Sequence, residues 1–214
     1  IAQEDGMLGG VPVELLVEDD GRDPGKAKQI ANRFVKRDNV KIMTGIIFSN
    51  VALAVVPKVV RGDVLYISPN AGPSDLAGKG CNENYFNVAY QNDNLDEVVG
   101  KYVNDSGFKN VYLLAPNYPA GKDHLAGFKR YYKGKISGEV YTKLGQSDYA
   151  AEIATLRAAK PDAVFIEFGI NDCYLPYKIS PKQSAQNINH IIDTILAANP
   201  HTEIILQTMN SCKD

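Results

Sequence analysis

Four stretches of the chain hold residues whose types and spacing could bind or polarise a small molecule. In "GIIFSNVAL" (45–53) an apolar strand ends at Phe48 and a helical pattern begins, with Ser49 expected as its N-cap. The open amides and positive dipole end of such a helix can receive a carboxylate, and the Ser49 hydroxyl adds a donor. In "LLAPNYPAGKDH" (113–124), Tyr118 precedes another helix start and could stack on a ligand or hydrogen-bond to it. "SPNAGPSDLAGKGCNEN" (68–84) is the longest turn-rich stretch, and it leaves the carboxyl end of an apolar strand, where open α/β sheets hold their ligands. The fourth stretch, "AVFIEFGINDCY" (163–174), delivers Asn171 and Asp172 at the end of a buried strand. A capped helix, a surface connection or a strand-closing turn accounts equally for each stretch taken alone.

Other chemistries find no support. "GKG" at 78–80 lacks the glycine spacing and following hydroxyl of a phosphate-binding loop, and no G-x-G-x-x-G occurs. His124, His190 and His201 have no i, i+4 pairing, and Cys81, Cys173 and Cys212 no metal-ligand spacing, so neither a metal nor another cofactor is expected. With 23 basic and 25 acidic residues spread along 214, the net charge of −2 offers no field for a nucleic-acid backbone. The densest basic stretch, "KRYYKGK" (129–135), reads as a solvated helix end. No apolar run approaches the roughly 18 residues of a membrane span, so no membrane insertion is expected. The opening "IAQEDGMLGG" also lacks the basic and apolar regions of a signal peptide.

Something must hold these loops at strand ends, and the pattern supplies it. Apolar runs alternate with helical stretches: strands at 11–20, 40–48, 64–69, 85–90, "NVYLLAP", "GEVYTKL", "DAVFIEF" and "TEIILQT", with helices between them. Asp23 and Pro24 mark the start of the first helix, with Ala27, Ile30, Ala31, Phe34 and Val35 on one face. Leu95, Val98, Val99, Tyr102 and Val103 should form the buried face of another. Ser180 with Gln183 reads as a capping box opening a helix over 181–198. Strands apolar on both faces and alternating with helices imply an α/β fold of parallel, Rossmann-like or flavodoxin-like sheets with helices on both faces.

Taken in order, "GGVPVELLVEDDGRDPGKAKQIANRFVKRDNVKIMTGIIFSNVALAVVP", "LYISPNAGPSDLAG", "YFNVAYQNDN", "VYLLAPNYPAGKDHLAGFKRYY" and "GEVYTKLGQSDYAAEIATLRAAKPDAVF" resemble the type I periplasmic solute-binding proteins of ABC importers. The branch is the one that takes branched-chain amino acids, amides and aromatic acids, and the resemblance covers about 7–166. It implies two Rossmann-like lobes, 1–90 and 91–214, that close on a small ligand without catalysis, in the periplasm, with an importer permease as partner. It assigns ligand contacts to Ser49, Asn50, Ser68, Asn70, Ala71 and Gly72 in one lobe and to Tyr118 and Ala120 in the other. Family members are longer and open with a strand absent here.

"PDAVFIEFGINDCY" with "SPKQSAQNINHIIDTILAANPHTEIILQTMN" (about 162–210) resembles instead the central block of SGNH (GDSL-type) hydrolases. That resemblance would make Asn171 an oxyanion-hole donor supported by Gly169. The G-D-S nucleophile block and the D-x-x-H base block of those enzymes are absent, so no enzymatic activity is expected. Three readings stand. The chain is a solute-binding module for a small carboxylated ligand, aromatic or branched, carried on a chimera joined near 162–167. Alternatively it is an esterase fragment without its nucleophile, or an engineered fold-chimera scaffold with no activity.

Overall fold

In the computed structural model, which describes residues 6–166 and 180–206 apart from 145 and 147, the chain divides into two compact units, Ile1–Ala89 and Tyr90–Asp214. The first opens with a short antiparallel pair, β1 (Met7–Leu8) and β2 (Val11–Pro12), turned at Gly9 and Gly10, both at positive φ as a tight hairpin requires. Helix α1 (Pro24–Lys36) starts where the sequence places it. The Asp23 carboxylate accepts from the Gly25 and Lys26 amides at 2.6 and 3.2 Å, and Pro24 occupies a position that needs no donor.

Next come β3 (Ile42–Thr44), α2 (Ser49–Arg61), β4 (Leu65–Ser68), the short α3 (Ser74–Ala77) and β5 (Tyr85–Asn87). The three strands form a parallel sheet in the order β3-β4-β5. Its core is the buried valine face of α2, packed with Ala27 and Ala31 of α1 and with Tyr66. Along β4, Tyr66 and Ser68 are buried while Leu65 and Ile67 are only half-buried. The register puts Ile42 and Phe86 on the same face as Leu65 and Ile67, and they are 56% and 53% exposed. The helices of this unit therefore cover one face of its sheet among the described residues, where both were expected to be covered.

The second unit runs α4 (Asn92–Asp105), β6 (Asn110–Pro116), α5 (Pro119–Tyr131), β7 (Lys135–Thr142), α6 (Ala150–Ala159), β8 (Ala163–Ile166), α7 (Pro181–Ala198) and β9 (Glu203–Leu206). Its sheet is parallel throughout, in the order β7-β6-β8-β9. Val111, Leu113 and Ala115 of β6 pack against Val103 of α4 and Leu125 and Phe128 of α5. On the other face, Val164 packs with Leu156 of α6, with Ile191, Ile192 and Ile195 of α7, and with Ile204. Helices here cover both faces.

Two elements differ from expectation. Residues 13–20 are not a strand: they pair with no other strand among the described residues, and Val17 is 76% exposed. An apolar alternation becomes a strand only when a neighbour accepts its backbone bonds. On α4 the buried side is Asn92, Asp93, Asp96, Gly100 and Val103, while Val98 and Tyr102 face outward at 71% and 56% exposed. The cause is the partner helix. Arg130 of α5 pairs with Asp93 at 2.9 Å and with Glu97, His124 pairs through Nδ1 with Asp96, and the Asn92 amide donates to Asp123 at 3.0 Å. A methyl group on Gly100 would stand 2.2 Å from the Phe128 carbonyl oxygen, and one on Gly127 2.1 Å from that of Asp93, so the two backbones touch.

Candidate functional site

The loop after β3 is a strained turn. Gly45 at φ +107° and Ile46 at φ +66° reverse the chain, and the left-handed region at a β-branched residue costs about 1–2 kcal/mol unless its surroundings hold it. The Tyr66 hydroxyl donates to the Gly45 carbonyl at 2.8 Å, and the Thr44 hydroxyl to the Ile67 carbonyl at 2.8 Å. The chain then enters α2 through Phe48, whose extended backbone lets its carbonyl accept from the Val51 and Ala52 amides, both at 3.0 Å. Phe48 is thus the N-cap, with no side-chain cap bond, and Ser49 is the first helical residue and buried. The expected capping role of Ser49 is corrected accordingly. Asn50 follows with its Oδ1 buried and without a partner among the described residues. Buried acceptors are ordinarily matched by a donor, so this oxygen is a candidate contact.

The loop after β4 is tied down from within. The Ser68 hydroxyl donates to the Ala71 carbonyl at 2.6 Å, the Tyr85 hydroxyl reaches the same oxygen at 3.5 Å, and the Val88 amide donates to the Ser68 carbonyl at 3.0 Å. Ser68, Ala71 and Gly72 are buried, and Asn70 is exposed. Because β3 and β4 are parallel neighbours, the loops leaving their carboxyl ends lie at one edge of the sheet. The structure therefore brings Ser49, Asn50, Ser68, Asn70, Ala71 and Gly72 to one sheet edge, with Ser68 turned inward. Burial pushes the Tyr66 and Tyr85 hydroxyls above the ordinary tyrosine pKa, so both remain protonated donors at neutral pH.

In the second unit, β6 ends at Pro116 and the chain turns sharply. The Asn117 amide donates to Thr142 at 2.7 Å and the Tyr118 amide to Pro116 at 2.9 Å. Tyr118, extended and half-buried, is the N-cap of α5, and its carbonyl accepts from the Lys122 amide at 3.1 Å. A methyl on Gly121 would come within 2.1 Å of the Pro116 carbonyl oxygen, so glycine is required for the turn to close this tightly. Ala120 is buried just inside the helix. Gly169 and Asn171 lie outside the described residues.

Sequence reasoning overlooked Tyr66 and Tyr85, which hold the two loops of the first unit. Their signal was the alternation of the strands, which places both on the buried side. A groove of about 510 Å³ is lined by residues 14–18 and the end of α1 and by none of these loop residues, and there Glu18 pairs with Arg33 at 2.5 Å. Among the described residues no group of His, Cys, Asp and Glu could hold a metal ion, and no helix is long and apolar enough to cross a membrane.

Compared with known proteins, residues 1–175 match a family described as periplasmic binding protein. The chain belongs to this family. Among curated members it is 28% identical over 164 residues to Leu/Ile/Val-binding protein homolog 3 of Brucella melitensis, covering 75% of this chain and 44% of that protein. It is also 28% identical over 169 residues to Leu/Ile/Val-binding protein BraC3 of Rhizobium johnstonii, covering 77% and 45%. The chain thus spans less than half the length of these curated relatives. Among solved structures, the fold resembles an ABC transporter solute-binding protein of R. palustris in complex with benzoate, with a TM-score of 0.76, 22% identity, and coverage of 95% of this chain and 53% of the other. It also resembles the branched-chain amino acid binding protein LivJ of Streptococcus pneumoniae in complex with isoleucine, at 0.68, 20%, 95% and 61%. These relatives are described as binding proteins, and the matched region runs past β8 to include Gly169–Asp172 of the sequence.

Proposed function

We propose that this periplasmic binding protein chain is a solute-binding module for a small carboxylate bearing an aromatic ring or a branched aliphatic side chain. The observation that carries the reading is the convergence, in a chain of this family, of a helix N-terminus and an internally bonded loop at the carboxyl ends of β3 and β4. The amides opening α2 receive the carboxylate. The buried Asn50 Oδ1 takes a donor, which the ammonium of an amino acid or a ring hydroxyl supplies and benzoate does not. Ser49, Asn50 and the 68–72 loop form the first set of contacts, and Tyr118 with Ala120 the second. Ile1–Ala89 and Tyr90–Asp214 correspond in this reading to the two lobes, and the docking partner is the permease of an ABC importer outside the cytoplasm.

The hydrolase-like reading of 162–210 is not carried forward. Its Asn171 has no nucleophile or base block to serve in these 214 residues, and the family match crosses the point where a junction would fall. The test is calorimetric titration of the chain with L-isoleucine, benzoate and 4-hydroxybenzoate, against benzyl alcohol as a ring without a carboxylate. Saturable binding of at least one carboxylate and none of benzyl alcohol is expected. Heats that do not saturate for every carboxylate would overturn the reading.

A further inference from the structure

We propose that Tyr66 and Tyr85 act as one positioning unit that couples the two ligand loops of Ile1–Ala89, so that ordering one loop orders the other. The inference rests on the site assigned above. The two residues are register partners on adjacent parallel strands and lie on the buried side of the sheet. Their rings stack, with centroids 6.1 Å apart and planes inclined by 18°. Each hydroxyl then leaves the stack for a different loop: Tyr66 donates to the Gly45 carbonyl at 2.8 Å, and Tyr85 reaches the Ala71 carbonyl at 3.5 Å.

The choice of tyrosine is informative. Phenylalanine would fill the same space without a polar atom, and a buried hydroxyl is tolerated only where a partner compensates its desolvation. Tyr66 has 0% of its surface exposed, so its hydroxyl is spent entirely inside the protein, on the carbonyl of the turn that delivers α2. That turn is the one with Gly45 and Ile46 at positive φ, a conformation that persists only when several contacts determine it together. On the other side, the Ala71 carbonyl also receives the Ser68 hydroxyl at 2.6 Å, which fixes the oxygen that Tyr85 senses. Displacing either loop carbonyl drags a phenol, and that phenol lies in an offset stack beside the one holding the other loop. Beside the direct bond from the Thr44 hydroxyl to the Ile67 carbonyl, two hydrogen bonds and one ring stack thus form a second contiguous link between the loops, and the tyrosine variants isolate it.

The test uses the full chain with Tyr66→Phe, Tyr85→Phe and the double variant, each keeping ring size and stacking. Amide hydrogen exchange is read at 45–52, at Asn70, Ala71 and Gly72 and, as an internal reference, at 55–60 of α2 apart from Pro57. Coupling predicts that each single variant accelerates exchange in both loops, by roughly tenfold in its own, with 55–60 unchanged. It also predicts that the double variant accelerates less than the product of the two singles. Acceleration confined to a variant's own loop, or strict multiplicativity, would overturn the coupling. Should Tyr66→Phe fail to fold, Tyr85→Phe alone decides through its effect on 45–52. Titration with benzoate and L-isoleucine separates this proposal from the functional one. Absence of binding to the wild type alongside cross-loop exchange leaves the coupling standing and removes the ligand reading, whereas binding with independent loops does the reverse.

Discussion

In Tyr90–Asp214 the strand Asn110–Pro116 is buried on both faces, from Val111 through Leu113, whereas in Ile1–Ala89 the strand Leu65–Ser68 alternates between buried and half-buried. Both strands are apolar runs followed by a turn and a helix, and both sit inside parallel sheets. The difference lies in what covers them. Four helices divide between the two faces of the second sheet, while α1 and α2 serve one face of the first. A parallel sheet is stable when its faces are covered, so the open face of the first is the place where substitutions should be forgiven.

The largest effect expected from this contrast comes from placing a charge on each sheet. Val164→Asp buries a carboxylate between β8 and α7 and should cost about 3–5 kcal/mol, whereas Phe86→Asp on the open face should stay within about 1 kcal/mol. Urea unfolding of the two variants checks it, and equal losses would mean that the open face is covered in solution. Helix packing sharpens the same contrast. Gly127→Ala forces a methyl against the Asp93 backbone and should cost about 2–3 kcal/mol. Gly62→Ala would meet the Val35 side chain at 3.0 Å and the Val59 carbonyl oxygen at 3.2 Å, and should lose much less, by the same thermal or urea measurement.

How much of this was legible in the sequence depended on whether the deciding contacts were local. Helix α1 and its Asp23 cap, and α7 from Pro181 to Ala198 with Ser180 accepting from the Gln183 amide at 3.2 Å, follow from residues within one turn of each other. The orientation of α4 does not. Its buried face is acidic because Arg130 and His124 arrive from α5, some thirty residues on, and its outward face keeps Val98 and Tyr102. Residues 13–20 have the alternation of a strand and lack a partner among the described residues, which no local pattern reveals. At the candidate site, the loops were legible as strand-to-helix turns. The shift of the cap from Ser49 to Phe48 was not, because it follows from the positive φ of Gly45 and Ile46 and from a hydroxyl twenty-one residues away.

Smaller effects test the local half of that lesson. Asp23→Ala removes an acceptor for two amides and should cost about 1 kcal/mol, and Ser180→Ala, with one longer bond, about half that; thermal unfolding ranks the pair. The smallest concerns Glu139 of β7. Burial pushes its carboxyl up, but hydrogen bonds from Lys129 at 2.8 Å and Tyr141 at 2.7 Å outweigh this and hold its pKa below the ordinary glutamate value. A pKa lowered by folding adds stability that is present above the unfolded value and lost as pH falls through the folded one. Glu139→Gln should therefore lower stability at neutral pH by about 0.5 kcal/mol, the pair being partly exposed, and the difference from wild type should vanish in acid. The Tyr141 hydroxyl, raised by burial and by Glu139 to about 12, should titrate in the ultraviolet nearer its ordinary range in that variant.

Whether the loops after β3 and β4 receive a small carboxylate is decided by amide chemical-shift mapping of the chain titrated with L-isoleucine and with benzoate. Saturable shifts are expected at Ser49–Val51, Ser68 and Asn70–Gly72, with a second group at Tyr118 and Ala120, and loss of the first group in Ser49→Pro, which removes the amide at the helix start. Shifts that saturate but gather elsewhere, along 14–18 and α1 for example, would contradict that placement.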